Sequence, residues 1–420
     1  MGLDSQRWTR GKNVSGTGHM DEILRGEPEI GFGADPFNPH KPRPLEVVGG
    51  TSAAKLKARV MESCPRVPGV YGMLDRKGCL IYVGKSKSLR SRLLSYFAAS
   101  NAREKGGRII ENARAIQWET QPSEFAALVR EQHLIRKYAP RWNVQGVPQR
   151  QRPVYLCLGR NPAYFFLAAV PPPDCIGVEG PFYGAARMRR AVDSLNKVFR
   201  LRDCSEKQVF HFAEQLQLFD LEHRPGCLRL EVGTCAGPCA AACTRGEYDV
   251  FVSAAESFLD GFNNEPLLAM RDQMQAAVAN RQYELAGRAH ETIKSLEYID
   301  RKLVMLARAR RRYTFIYAVP GYDGCGAWYL IHCGEIADVV AAPRNQHEYE
   351  SLRERIAHWS AVTSQRLARG HGHHPHTLQL VASWFRKHRG ELESTFPTAQ
   401  AFQGAGKTTL LGRRVSPSLY

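Results

Sequence analysis

Two tyrosines, Tyr71 and Tyr82, sit in short apolar runs of the stretch GVYGMLDRKGCLIYVGKSKSLRSRLLSYF (69–97), and the cations Lys85, Lys87, Arg90 and Arg92 follow at once. Side chains alternate along an extended segment, so Val70 and Tyr71 point to opposite faces, and the turn DRKG folds residues 81–84 back against 69–73 as a hairpin. That brings the two phenols together. Gly84 permits a sharp bend, after which Lys85, Lys87, Arg90 and Arg92 are expected to enter a helix with Ser88, Arg92 and Tyr96 along one side. A phenol, an ammonium and a guanidinium on one small surface suit phosphodiester hydrolysis, in which water loses a proton and the transition state needs positive neighbours. A phenol of pKa ~10 is ionised to about one part in a thousand at neutral pH, so proton abstraction by tyrosine needs cationic help and a metal is expected. Glu131, on a helix read over 124–138, is the hard oxygen ligand for Mg²⁺ or Mn²⁺.

A second constellation is sulfur. Cys204, Cys227, Cys235 and Cys239 follow C-x22-C-x7-C-x3-C, with Cys243 in reserve. Four soft ligands imply zinc or an iron–sulfur cluster, and spacing alone does not separate the two. Eleven cysteines in a chain read as cytoplasmic fit metal ligation and scattered buried thiols better than a disulfide framework.

The elements that must position these groups belong to several blocks. Residues 1–62 are rich in Gly, Pro and charge without a period and are expected to form a flexible arm. Over 63–147 the order strand, turn, strand, basic helix, strand (ARAIQWET) and strong helix (PSEFAALVREQHLIRKY) predicts an α+β domain with a small antiparallel sheet flanked by helices. Residues 148–245 mix short strands, the helix ARMRRAVDSLNKVF and the cysteines. Helical periodicity broken at GFNNEP makes 246–312 a helical hairpin, with Met274, Val278, Ala286, Ala289, Ile293 and Leu296 as its apolar stripe. Strands and then helices make 313–400 a small α/β region, and 401–420 reads as a tail. HGHHPH (371–376) is expected to be a surface histidine cluster, and GAGKTTLL, whose leading phosphate-loop glycine is replaced by Ala401, part of the tail.

Lys and Arg total 58 against 41 Asp and Glu, a formal charge of +17, which favours a polyanionic partner. No apolar run approaches the ~20 residues that span a bilayer, so no membrane association is expected. The row Lys85, Lys87, Arg90, Arg92, Lys105 and Arg108 is placed to grip DNA phosphates, with steep salt dependence and little base preference.

The ordered set GVY…YVGKSKSLRSRLLSYF…SEFAALVREQHLIRKYAPRWNV resembles the GIY-YIG nuclease domain, and specifically its version in UvrC, the excinuclease subunit that cuts DNA beside lesions. The resemblance implies that Tyr71 and Tyr82 are the paired tyrosines, Lys85 and Arg92 the charge-stabilising cations, Tyr96 the helix tyrosine, Glu131 the single metal ligand and Asn143 the residue that orders the site. UvrC-like chains also share the layout around Gly180–Tyr183, Phe199–Cys204 and PGCLRLEVGTCAGPCAAAC, which implies a 4Fe-4S cluster on the four cysteines. Residues 270–300 resemble the helical hairpin through which UvrC docks on the UvrB helicase, although the family's AA…RD is AG…HE here, at Ala286, Gly287, His290 and Glu291. Past Pro343 the chain is too short for the ribonuclease-H-like and helix-hairpin-helix modules of long UvrC chains, so the expectation is a short homologue making a single 3′-side cut in damaged double-stranded DNA. Two alternatives stay open: a nuclease for branched or foreign DNA, and a non-cutting cluster-bearing DNA-binding protein.

Overall fold

The structure, a computed structural model, describes residues 31–41, 43–98, 104–143, 154–218, 227–261, 263–363 and 374–402. The chain divides into two compact units, 1–144 and 145–420.

The first unit is built on an antiparallel sheet. Its strands are β1 (Glu46–Gly49), β2 (Gly69–Leu74), β3 (Leu80–Ser86) and β4 (Ala115–Thr120), in the order β1-β4-β2-β3. Helices α1 (Ala53–Ser63), α2 (Leu89–Ser95), α3 (Lys105–Asn112) and α4 (Glu124–Tyr138) flank it. Strand alternation divides the core between the two faces. Tyr71 and Met73 pack with Leu56, Val60, Leu93 and Ile109 of α1, α2 and α3, whereas Val70 and Val83 pack with Ala127, Leu134 and Ile135 of α4. Ser52 starts α1 by accepting from Lys55 N, and Ser123 starts α4 by accepting from Ala126 N.

The flexible arm expected over 1–62 does not extend through its second half. Phe32 is buried against Val70 and Ala127, β1 adds a fourth strand beside β4, and α1 inserts Leu56 and Val60 into the core. The fastener is Arg130 on α4, which is 1% exposed. Its guanidinium donates to Gly33 O at 2.6 Å and Ala34 O at 2.9 Å and pairs with Glu119 at 3.0 Å, with Asp35 alongside. Residues 1–30 lie outside the described residues.

In the second unit, β5 (Val154–Gly159), β6 (Tyr164–Ala168) and β7 (Cys175–Phe182) form an antiparallel sheet in the order β6-β5-β7. Next come α5 (Ala185–Val198), α6 (Ala213–Leu218), α7 (Leu228–Glu231) and α8 (Arg245–Leu259), the last opened by a capping box of Thr244 and Glu247. Helices α9 (Glu265–Ala279) and α10 (Tyr283–Arg312) make the hairpin. Its stripe differs from expectation at one position: Ala277 is buried, and Val278 is 50% exposed. Strands β8 (Phe315–Val319), β9 (Ala327–His332) and β10 (Glu335–Ala341) then form a meander that β11 (Thr395–Phe396) extends beside β8. Helices α11 (Gln346–Thr363), α12 (Pro375–Lys387) and α13 (Thr398–Phe402) complete the unit. The segments 148–245, 246–312 and 313–400 all fall within it. No helix among the described residues is long and apolar enough to cross a membrane. His371–His373 and GAGKTTLL lie outside the described residues.

Candidate active site

Strand β3 is the outer edge of the first sheet, and its outward backbone groups need partners. Trp142 N donates to Ile81 O at 3.0 Å. The Asn143 side chain brackets Val83, accepting from its N–H at 2.8 Å and donating to its carbonyl at 2.7 Å. Glu131 Oε1 accepts from Lys85 N at 3.1 Å. Three alternate residues, 81, 83 and 85, are thus fastened from outside, which fixes the side chains between them. Asn143 thereby holds the strand that carries Tyr82.

Tyr82 is one of those side chains, and with Tyr71 on β2 and Tyr96 at the end of α2 it closes a triangle. Ring centres are 6.2 Å apart for Tyr71 and Tyr82, 5.9 Å for Tyr71 and Tyr96, and 6.1 Å for Tyr82 and Tyr96. The Tyr71 and Tyr96 hydroxyls are 2.8 Å apart, and Arg92 Nε donates to the Tyr71 oxygen at 3.4 Å. Arg92 also lies over the Tyr96 ring at 5.1 Å, and Lys105 over the Tyr82 ring at 5.7 Å. Gly84 stands opposite Tyr71 in register, and a Cβ there would sit 2.5 Å from the Tyr71 hydroxyl. The glycine is required for space, to let the phenol cross the strand.

Burial sets the charge states. It pushes all three phenols above the ordinary tyrosine range, with the neighbouring tyrosines adding to the shift and Arg92 opposing it. Glu131 is pushed up to about 7 by burial, against the opposing pull of Lys85 and Arg92. The Lys85 ammonium itself is spent on Glu124, at 2.9 Å. No Lys or Arg nitrogen forms an ion pair with Glu131 among the described residues, so its charge is left without a fixed counterion. A partly buried carboxylate with free oxygen lone pairs and no counterion fits a hard divalent cation.

Comparison with known proteins agrees with this geometry. Residues 67–144 match the UvrC-like GIY-YIG domain, and residues 156–258 match the UvrC/Cho excinuclease middle domain. UvrABC system protein C of Dictyoglomus thermophilum is 30% identical over 285 residues, 67% of this chain and 45% of that protein. The corresponding protein of Desulfatibacillum aliphaticivorans is 33% identical over 233 residues, 55% of this chain and 37% of that one. This chain belongs to the UvrC-like GIY-YIG family. It spans less than half the length of these curated relatives. The crystal structure of the GIY-YIG N-terminal endonuclease domain of UvrC from Thermotoga maritima, bound to its catalytic magnesium, is 37% identical over 21% of this chain and 97% of that one, with a TM-score of 0.20.

Within the UvrC-like domain the structure brings Tyr71, Tyr82, Tyr96, Arg92, Lys85 and Glu131 into one cluster. Two expectations need correction. Lys85 belongs to β3 and not to a helix, because the strand runs to Ser86 and α2 begins at Leu89. Arg90 turns inward, where its Nε donates to Cys64 O, so it is a structural anchor and not a free phosphate contact. Lys87, Lys105 and Arg108 are exposed as expected. Reading the sequence missed Glu124, whose signal was its spacing of seven residues from Glu131 on one helix face.

In the UvrC/Cho middle domain, Cys204, Cys227, Cys235 and Cys239 line one cavity of about 380 Å³ with Arg202 and Phe210. Burial pushes the Cys235 thiol up to about 11, although Gly237 N donates to its sulfur at 3.4 Å. Cys243 is buried nearby and does not line the cavity. Among the described residues no set of three or more His, Cys, Asp or Glu is arranged to hold a single metal ion.

Proposed function

We propose that this chain is a DNA endonuclease of nucleotide excision repair that hydrolyses one phosphodiester with one Mg²⁺ (or Mn²⁺), cutting once on the 3′ side of a lesion. The observation that carries the reading is the Glu131 carboxylate, without a fixed counterion and within electrostatic reach of Tyr82 and Arg92, which join Tyr71 and Tyr96 in one cluster. The ion that Glu131 would hold supplies Lewis-acid neutralisation of phosphate charge and a more acidic water. The phenols rest protonated and orient water and phosphate through hydrogen bonds. Tyr71 is the more readily ionised of the pair, because Arg92 donates to its oxygen whereas the charge of Glu131 raises the pKa of Tyr82, and only after losing its own proton to solvent would it take one from the attacking water. Arg92 is left to offset charge on the transferring phosphoryl group, a role the Lys85 ammonium takes only on leaving Glu124.

The substrate would be damaged double-stranded DNA, gripped through Lys87, Lys105 and Arg108. A UvrB-like helicase would dock on residues 270–300, where Val278, Tyr283 and Leu285 are exposed on the hairpin. The four cysteines would hold a 4Fe-4S cluster. Their lining of one cavity supports a single group held by all four, and the choice of a cluster over zinc rests on the family resemblance.

The test is nicking of lesion-bearing, branched and plain duplexes with Mg²⁺, each with and without a UvrB-like partner. Lesion-dependent nicking that Glu131→Gln abolishes while DNA affinity is retained is the expected result. Cutting of branched DNA alone, or cutting by the Glu131→Gln protein, would overturn the reading.

A further inference from the structure

A second cationic site lies in the first unit, away from the tyrosines. A cavity of about 520 Å³ is lined by Lys55, Arg59, Arg76 and Arg114 together with Gly50 and Thr51. No acidic side chain lines it. The nearest acid in sequence, Asp75, is turned into its own hairpin turn, where it accepts from Lys77 N and Cys79 N. Two of the guanidiniums are fixed by backbone carbonyls, Arg59 by Gly49 O at 2.6 Å and Arg114 by Ala113 O at 2.7 Å and Glu111 O at 3.0 Å. Lys55 and Arg76 have no ion-pair partner among the described residues. Four like charges gathered round one space repel one another, and an anion seated between them relieves that repulsion.

The position of the cavity says which anion. Helices α1 and α3 both pack into the core cluster that contains Tyr71 and Tyr96. One end of α3 places Lys105 over Tyr82, and its other end leads directly to Arg114. At about 1.5 Å of rise per residue, the helix carries the chain about 10 Å from Lys105 to Asn112, and Arg114 follows two residues beyond its end. The helix alone spans about three nucleotides of duplex at about 3.4 Å each.

We propose that Lys55, Arg59, Arg76 and Arg114 form a second phosphate-binding site, which holds the DNA backbone a few nucleotides from the phosphate being cut. The site rests on the endonuclease reading and adds to it a backbone clamp that sets how much flanking duplex the enzyme needs. Arg59 and Arg114 supply pre-oriented forks, and Lys55 and Arg76 supply mobile charge at the rim.

The test is equilibrium binding of the full chain to plain duplex without added Mg²⁺, over a range of salt concentrations. The double variant Lys55→Ala/Arg76→Ala should lower the slope of log K against log salt by about 1.8, and should weaken binding about tenfold or more near 0.1 M salt. The exposed lysines outside the cavity, in Lys57→Ala/Lys77→Ala, serve as the charge-matched control and should change both quantities less. On duplex truncated two nucleotides beyond the mapped cut, on the side the cavity faces, the first variant should lose its disadvantage. An unchanged slope, or an equal loss in the control, overturns the site. Absence of nicking by the unaltered protein on any DNA would overturn the endonuclease reading, and the slope would still decide the cavity.

Discussion

The hydroxyl of Tyr71 lies 2.8 Å from that of Tyr96, and Arg92 Nε donates to the Tyr71 oxygen at 3.4 Å. Tyr71 comes from the second strand of the sheet and Tyr96 from the end of a helix, so one hydrogen bond locks two elements where the substrate phosphate would sit. A double-mutant cycle with Tyr71→Phe and Tyr96→Phe should give a coupling of about 1 kcal/mol in denaturant melts. The rate should fall more for Tyr71→Phe, by about 10²-fold or more, because that change also removes the proton acceptor. Strict additivity in the melts would show that the two hydroxyls do not bond.

Glu131 ties activity and stability to pH in opposite directions. Its folded pKa, about 7, lies above the ordinary carboxylate value, so the metal-free protein gains proton-linked stability in acid and loses it as pH rises from about 4.5 through 7. Without added metal, Glu131→Gln should therefore stabilise the protein at pH 8 by roughly 2 kcal/mol and change little at pH 4. Nicking should rise with pH through about 7 in the native protein, with a midpoint that moves down as Mg²⁺ is raised, because ion and proton compete for the carboxylate. Thermal melts and a pH–rate series at several Mg²⁺ concentrations measure both. A midpoint indifferent to Mg²⁺ would remove Glu131 as the ligand.

Gly84→Ala should damage the site more than the fold. The added methyl meets Tyr71 at 2.5 Å, so the phenol must move, at a cost of about 1 to 3 kcal/mol. Gly287→Ala is the contrasting case: its Cβ has open space on a helix, and about 0.5 to 1 kcal/mol of stabilisation is expected. Paired melts and nicking rates would separate the two.

Asn143→Ala leaves the Val83 N–H and carbonyl without partners at the sheet edge and should cost about 2 to 4 kcal/mol, with faster hydrogen exchange at Val83. Asn143→Asp keeps the acceptor, loses the donor and should fall between the two. Equal exchange rates in all three proteins would show that the bracket is not formed.

For the cysteines, anaerobically purified protein should be brown, and Cys235→Ser should bleach it. A colourless protein with one zinc per chain would replace the cluster by zinc in the same cavity.

The chemistry was legible in the sequence because each participating residue type is costly in its setting. Tyrosines on a hairpin beside cations and one carboxylate on the following helix pointed to the cluster before any geometry was known, whereas Asn143 and the role of Tyr96 entered only through the family resemblance. The fold around it was legible where hydrophobic period was clean, as in Glu124–Tyr138 and the long hairpin helix Tyr283–Arg312. It was not legible in residues 31–62, where Gly and Pro suggested a loose arm. That segment is held by backbone carbonyls bonded to Arg130, and carbonyls carry no residue-type signal. The short strand Glu46–Gly49 likewise owes its place to pairing with Ala115–Trp118, a partner far along the chain. Lys85 was placed in a helix because its cationic neighbours read as one amphipathic run, whereas edge pairing carries the strand on to Ser86.

The buried Arg130 makes the cooperative folding unit larger than the stretch that carries the family signature, 67–144. A fragment cut at that boundary would uncover Val70, Ala127 and Ile135 where Phe32 lay, and would strand a guanidinium in apolar surroundings with Glu119 as its remaining partner. Expression of the first unit by itself should therefore start no later than Gly31, and aggregation of shorter versions would report a missing wall of the core, not a defect in the site.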